Sequence, residues 1–148
     1  MNAIIAYDTI TGNTETCAQW IRDALTEAGY RVDLEEAESL DPASLRDYDL
    51  IILGCPTYWN GDVTEGFWTL LDRMIGMDLY GKKVAVFGLG DSESYPDVFC
   101  RSVDVVEDRL SQCGARLAVE SLRFDGEPED DPDRVRRWAG EIIEETVG

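Results

Sequence analysis

The chain has 148 residues, 44% of them hydrophobic and 9% aromatic, which is enough apolar surface for one core, too few residues for two ordinary domains, and a composition that excludes global disorder. Its 31 acidic against 13 basic residues give a formal net charge of −18, a field that repels nucleic acid and anionic lipid and either draws in basic partners or serves solubility alone. The absence of His removes the Ser-His-Asp and Cys-His constellations and the commonest metal ligand.

In chain order, Asn2 to Tyr7 is a short apolar run that reads as a buried strand. It is followed by Thr9-Ile10-Thr11-Gly12-Asn13-Thr14 and then by a helical stripe of Cys17, Trp20, Ile21, Ala24, Leu25 and Ala28, closed by Gly29 as a C-terminal cap. Tyr30 to Glu35 alternates polar and apolar side chains, as an edge strand does. Pro42 to Arg46 makes a short turn of helix, and Asp49 to Gly54 is a second continuous apolar run. Phe67, Leu70, Leu71 and Met74 form the next helical stripe, Lys83 to Gly88 a further buried strand, and Phe99, Val103, Val106, Leu110 and Cys113 a helix closed by Gly114. Arg116 to Leu122 is the last predicted strand, residues 127 to 132 a polar loop, and Val135, Trp138 and Ile142 a final helical stripe.

Continuous apolar strands belong to parallel sheets covered on both faces. Their alternation with helices predicts a three-layer, doubly wound α/β domain with five parallel strands. Cys17, Cys55, Cys100 and Cys113 are too scattered for CxxC pairs and read as reduced core thiols. Residues 1 to 7 show no basic leader pattern, and no apolar stretch is long enough to span a bilayer. A cytoplasmic protein without membrane contact is expected.

Ligands of such sheets sit beyond the carboxyl ends of the strands, so three loops carry the functional argument. The loop from Thr9 to Thr14 puts three hydroxyls, an amide and a glycine at a helix N-terminus, which suits either a phosphate or an ordinary helix cap. It is neither a Walker loop nor GxGxxG, and no Lys or Arg precedes Arg22, so a phosphate here is held by neutral donors. The second loop, Pro56-Thr57-Tyr58-Trp59-Asn60-Gly61-Asp62, offers adjacent aromatics able to stack on a flat heterocycle or to act as plain hydrophobic cover. The third, Leu89-Gly90-Asp91-Ser92 running on to Tyr95, Phe99 and Cys100, is either a ligand loop or a simple turn.

The T-x-T-G-N-T loop after the first strand resembles the FMN-phosphate loop of the flavodoxins, which are known to place FMN at such a switch point. The likeness spans essentially residues 1 to 148 as one flavodoxin-like FMN-binding domain, and implies strand order 2-1-3-4-5. A last strand without a long insertion is similar to the short-chain group. By this resemblance Thr9 to Thr14 hold the phosphate. Pro56, Thr57, Tyr58, Trp59, Asn60, Gly61 and Asp62 cover the inner flavin face, with Tyr58 or Trp59 stacked and the Asn60-Gly61 or Gly61-Asp62 peptide responding to reduction. Leu89, Gly90 and Asp91 meet the polar edge of the ring, Tyr95 covers its outer face, and Phe99 and Cys100 complete that segment. Asp8 departs from the family, which usually has a small residue there, and its carboxylate opposes a phosphate unless it points away.

No cation occurs before Arg22, between Arg46 and Arg73, or between Lys83 and Arg101, whereas Asp62, Glu65, Asp91, Glu93 and Asp97 lie in or beside the loops. Each unit charge at about 10 Å and a dielectric of ~40 lowers the second reduction step by roughly 35 mV. The expectation is a low-potential, one-electron FMN carrier shuttling between quinone, semiquinone and hydroquinone, monomeric, and served by basic-patched redox proteins. The alternative is a small FMN-dependent NAD(P)H oxidoreductase of the quinone-reductase type. A phosphoacceptor receiver domain needs an Asp where this chain has Gly54-Cys55.

Overall fold

Three apolar runs lie side by side at the centre of a parallel sheet in the computed structural model, which describes residues 1–57 and 61–146. The elements are β1 (Asn2–Tyr7), α1 (Asn13–Glu27), β2 (Arg31–Glu36), β3 (Leu50–Pro56), α2 (Glu65–Arg73), β4 (Lys83–Gly90), α3 (Arg101–Gln112), β5 (Arg116–Leu117), β6 (Leu122–Asp125) and α4 (Pro132–Thr146). A short 3-10 turn at Pro42–Asp47 lies on the crossover from β2 to β3. The sheet runs β2-β1-β3-β4-β5, with β6 also paired to β4, and every pairing is parallel.

Alternation along the strands divides the core into two layers. Ile4, Ala6, Ile51, Leu53, Val84 and Val86 face α2 and α3, where they meet Phe67, Leu71, Val103 and Val106. Ala3, Ile5, Ile52, Ala85 and Phe87 face α1 and α4, where they meet Cys17, Ile21, Leu25, Val135 and Trp138. Both faces being covered is what makes these runs continuously apolar. Strand β2 has one neighbour and stays partly exposed, in keeping with its alternating pattern.

The last strand differs from the expected single run over Arg116 to Leu122. Lys83 and Val84 pair with Arg116 and Leu117, but Phe87 and Gly88 pair with Leu122 and Arg123. Two residues of β4 therefore face four on the outer chain, Ala118 to Ser121. The cause is polar: the Glu120 carbonyl turns out of the sheet to accept the indole N–H of Trp138 at 2.8 Å. Strand β6 resumes and runs to Asp125, past the predicted end. Similarly, β3 and β4 extend two residues further toward the carboxyl edge, to Pro56 and Gly90, and Pro56 is opposite Leu89. Helix α3 starts at Arg101, so Phe99 and Cys100 precede it rather than belong to it. Tyr30 is not in β2, because its N–H closes helix α1 on the Leu25 carbonyl at 3.0 Å.

All four cysteines are free and buried. Burial pushes the thiols of Cys17, Cys55 and Cys100 up to about 12, and that of Cys113 upward. Because the folded values lie above the unfolded one of about 8.5, this contribution to stability is complete below that pH and is lost as pH rises toward 12. Native protein at about pH 8 should leave DTNB unreacted over many minutes, whereas all four thiols should react once guanidinium unfolds it. Rapid labelling of the native chain would contradict this burial.

Candidate functional site

Helix α1 begins on Gly12, whose left-handed backbone (φ 94°) suits glycine, and no side chain caps the helix. The first helical rung is Thr16 N–H to the Gly12 carbonyl, 3.0 Å, so the N–H groups of Asn13, Thr14 and Glu15 precede the ladder and point out of the helix end. The loop is tied down from within. Gly12 N–H donates to Thr9 Oγ1 at 2.8 Å, which leaves the Thr9 hydroxyl proton for another acceptor.

Asp8 is turned away from this cradle. Its Oδ1 accepts the Thr9 N–H at 2.8 Å. Its Oδ2 lies against the first turn of α2, where a Cβ placed on Gly66 would stand 2.7 Å from it. That helix end carries partial positive charge and favours a carboxylate. The fold thus ties one carboxylate oxygen to the loop backbone and sets the other against α2.

A cavity of about 340 Å³ opens at the carboxyl edge of the sheet. Ile10, Thr11, Asn13 and Thr14 form one wall, Pro56 and Thr57 a second, and Leu89, Gly90, Asp91 and Tyr95 a third. Thr9, Gly12, Gly61 and Asp62 lie outside the lining. Tyr58, Trp59 and Asn60 fall outside the described residues. Phe99 and Cys100 pack beneath the floor, where a Cβ on Gly90 would come within 3.0 Å of Phe99 Cδ1 and of the Cys100 amide nitrogen. That close approach of the segment just before α3 to β4 explains the glycine.

The third loop is held in shape by its own carboxylate. Asp91 accepts the Ser94 N–H at 3.1 Å, and the Tyr95 N–H meets the Asp91 carbonyl at 2.8 Å. The Ser94 bonds hold the exposed Asp91 carboxyl below its ordinary range. The second loop is moored by Thr57, whose hydroxyl is 2.7 Å from that of Ser102, while Ser102 Oγ donates to the Cys55 carbonyl at 3.2 Å.

Sequence reading missed several supports. Gly126 and Glu127 line the cavity, and Asp125 accepts both the N–H (3.0 Å) and the hydroxyl of Ser92. Placing the end of the last strand at Leu122 hid all three. Ser102 had a visible signal, a hydroxyl beside the apolar stripe of α3. Arg101, just past the third loop in sequence, lays its side-chain stem against the end of the second: a Cβ on Gly61 would stand 3.0 Å from Arg101 Cδ.

The arrangement joins neutral donors at one end, apolar Pro56 and Leu89 in the middle, and a half-exposed Tyr95 at the other. Its volume lies within the ~300–1,000 Å³ usual for small-molecule sites. It fits a molecule with an anionic end and a flat ring, as FMN has.

Comparison with known proteins agrees with the geometry. The flavodoxin family model matches residues 5–138. The chain is 35% identical over 145 residues to the flavodoxin of Maridesulfovibrio salexigens, covering 96% of this chain and 97% of that one. It is 34% identical over 145 residues, with the same coverage, to the flavodoxin of Nitratidesulfovibrio vulgaris. Oxidised flavodoxin 2 from Bacillus cereus superposes with a TM-score of 0.91 at 36% identity, over 97% of this chain and 99% of that one. In sequence and in strand order, this chain belongs to the flavodoxin family.

Proposed function

We propose that the chain, acting as one FMN-binding domain over residues 1–148, carries single electrons at low potential on noncovalently held FMN. Its family consists of electron carriers rather than enzymes, and the quinone-reductase alternative is not favoured because the relatives are flavodoxins. The observation that carries the residue-level reading is the uncapped start of α1 opening into a cavity whose other walls are the second and third loops.

In this reading the N–H groups of Asn13, Thr14 and Glu15 and the hydroxyls of Thr9 and Thr11 donate to the phosphate. Pro56 and Leu89 shield the ring from water, Asp91 and Gly90 lie at its polar edge, and Tyr95 covers the outer face. Bound FMN supplies the electron chemistry, so no general base or nucleophile is required of the chain. The charge of −18 attracts redox proteins with basic patches, at rates that fall as salt rises. Among the described residues no helix is long and apolar enough to cross a membrane. We place the protein in the cytoplasm as a monomer.

The test is an anaerobic dithionite titration followed by absorbance. Yellow protein with one FMN per chain and two resolved one-electron steps is expected. A single two-electron step, or a chain that stays colourless with FMN, would overturn the reading, and steady NADPH oxidation by the protein alone would favour the reductase.

A further inference from the structure

We propose that Arg101 sets the charge balance of the redox site: with its side-chain stem packed over Gly61, its positive charge favours the second electron on the bound flavin against the acidic field of the rest of the chain. The inference rests on the FMN reading above.

Gly61 has φ 86°, and a Cβ there would lie 3.0 Å from Arg101 Cδ and 3.0 Å from both Cβ and Cγ1 of Val98. The arginine stem and the valine thus close over the backbone of Gly61. That loop's own segment, from Arg46 to Arg73, contains no cation, so its nearby positive charge arrives only through folding.

Local structure does not account for an arginine at this position. Arg101 is the first residue of α3, where the helix dipole favours an acid and disfavours a cation. It forms no ion pair among the described residues, whereas Arg123 pairs with Asp104 at 2.6 Å and with Glu107, and Arg136 with Asp133. Its placement is nonetheless well determined. Cys100 just before it is left-handed (φ 51°), the one such non-glycine residue among those described, and its carbonyl accepts Arg123 Nη1 at 3.1 Å. This fixed turn directs residue 101 toward Gly61.

The first electron arrives from an external reductant with a proton and leaves the ring's net charge unchanged. The second arrives without a proton and adds one negative charge. Arg101 remains protonated throughout and forms no covalent bond. A unit charge about 10 Å from the ring, at a dielectric of ~40, shifts the second equilibrium by about fourfold and the first by far less.

The experiment uses the FMN-loaded protein, titrated anaerobically with dithionite and a reference dye, as wild type, Arg101→Gln and Arg101→Lys. Arg101→Gln should weaken the second step about fourfold, or roughly 35 mV at 59 mV per decade. It should leave the first step and the FMN dissociation constant within about twofold. Arg101→Lys should restore the second step, and the difference between wild type and Arg101→Gln should shrink in about 0.5 M salt. An unchanged second step, equal movement of both steps, or a lysine variant that behaves like glutamine would overturn the inference. A wild type that takes up no FMN overturns the functional reading beneath it. A wild type that titrates in two steps beside an unaltered Arg101→Gln overturns this inference alone.

Discussion

Replacing Gly54 with alanine should destabilise the protein by about 3 kcal/mol or more, at the upper end of the range for overpacked cores. The added methyl would lie 2.0 Å from Phe87 Cζ and within 2.5 Å of both its Cε atoms. The ring cannot withdraw easily. Phe87 is fully buried and sits edge-on to Trp138, with centroids 5.9 Å apart and planes at 64°. Gly54 lies in register with Phe87 on the adjacent strand, so the clash falls at the centre of the sheet, two residues before Pro56 on the cavity wall. For a chain of this size the loss corresponds to a fall of roughly 10 °C in Tm. Combining Gly54→Ala with Phe87→Leu removes the colliding atoms. The double variant should therefore be at least ~1 kcal/mol more stable than the sum of the single effects implies. Thermal and urea denaturation of the four proteins checks this, and strictly additive effects would show that the ring is not the obstacle.

Asn13→Asp should have opposite effects on stability and on FMN binding. Asn13 is the first residue of α1 and lines the cavity. An acid at a helix start is favourable by ~0.3–1 kcal/mol, so the protein without flavin should hold or gain stability. A carboxylate beside a phosphate dianion is repelled by roughly 2–3 kcal/mol at an effective dielectric of ~40, or about 100-fold in affinity. Riboflavin lacks the phosphate, and its binding should be almost unaffected. Fluorescence titration with both ligands separates the terms. An equal loss for the two would indicate a distorted loop rather than charge, and no loss for FMN would remove Asn13 from the phosphate end.

The layer architecture was legible because its signal is local and repeated. Ile4, Ile51 and Val84 lie in apolar runs, and such runs form strands covered on both faces wherever they occur. The stripes of α1 to α4 likewise needed only helical spacing. The outer strand was not legible, since its interruption depends on the Trp138 indole reaching the Glu120 carbonyl from a helix 18 residues away. Nothing between Arg116 and Leu122 announces that partner. The cavity walls from Thr11, Thr57 and Asp91 could be proposed from loop chemistry, but Gly126 and Glu127 could not, because the polar loop carries no ligand signal of its own and reaches the cavity only through the extension of β6 to Asp125.

Composition and spacing alone determined the α/β class, the neutral donor loop ahead of α1 and the excess of negative charge, because each is a property of contiguous residues. Only the tertiary structure decided how particular charges act. Asp8, adjacent to the cradle in sequence, turns its carboxylate onto α2, and Arg101, some 40 residues from Gly61, packs against it. Electrostatic effects depend on distance and direction through space, and the order of residues along the chain specifies neither.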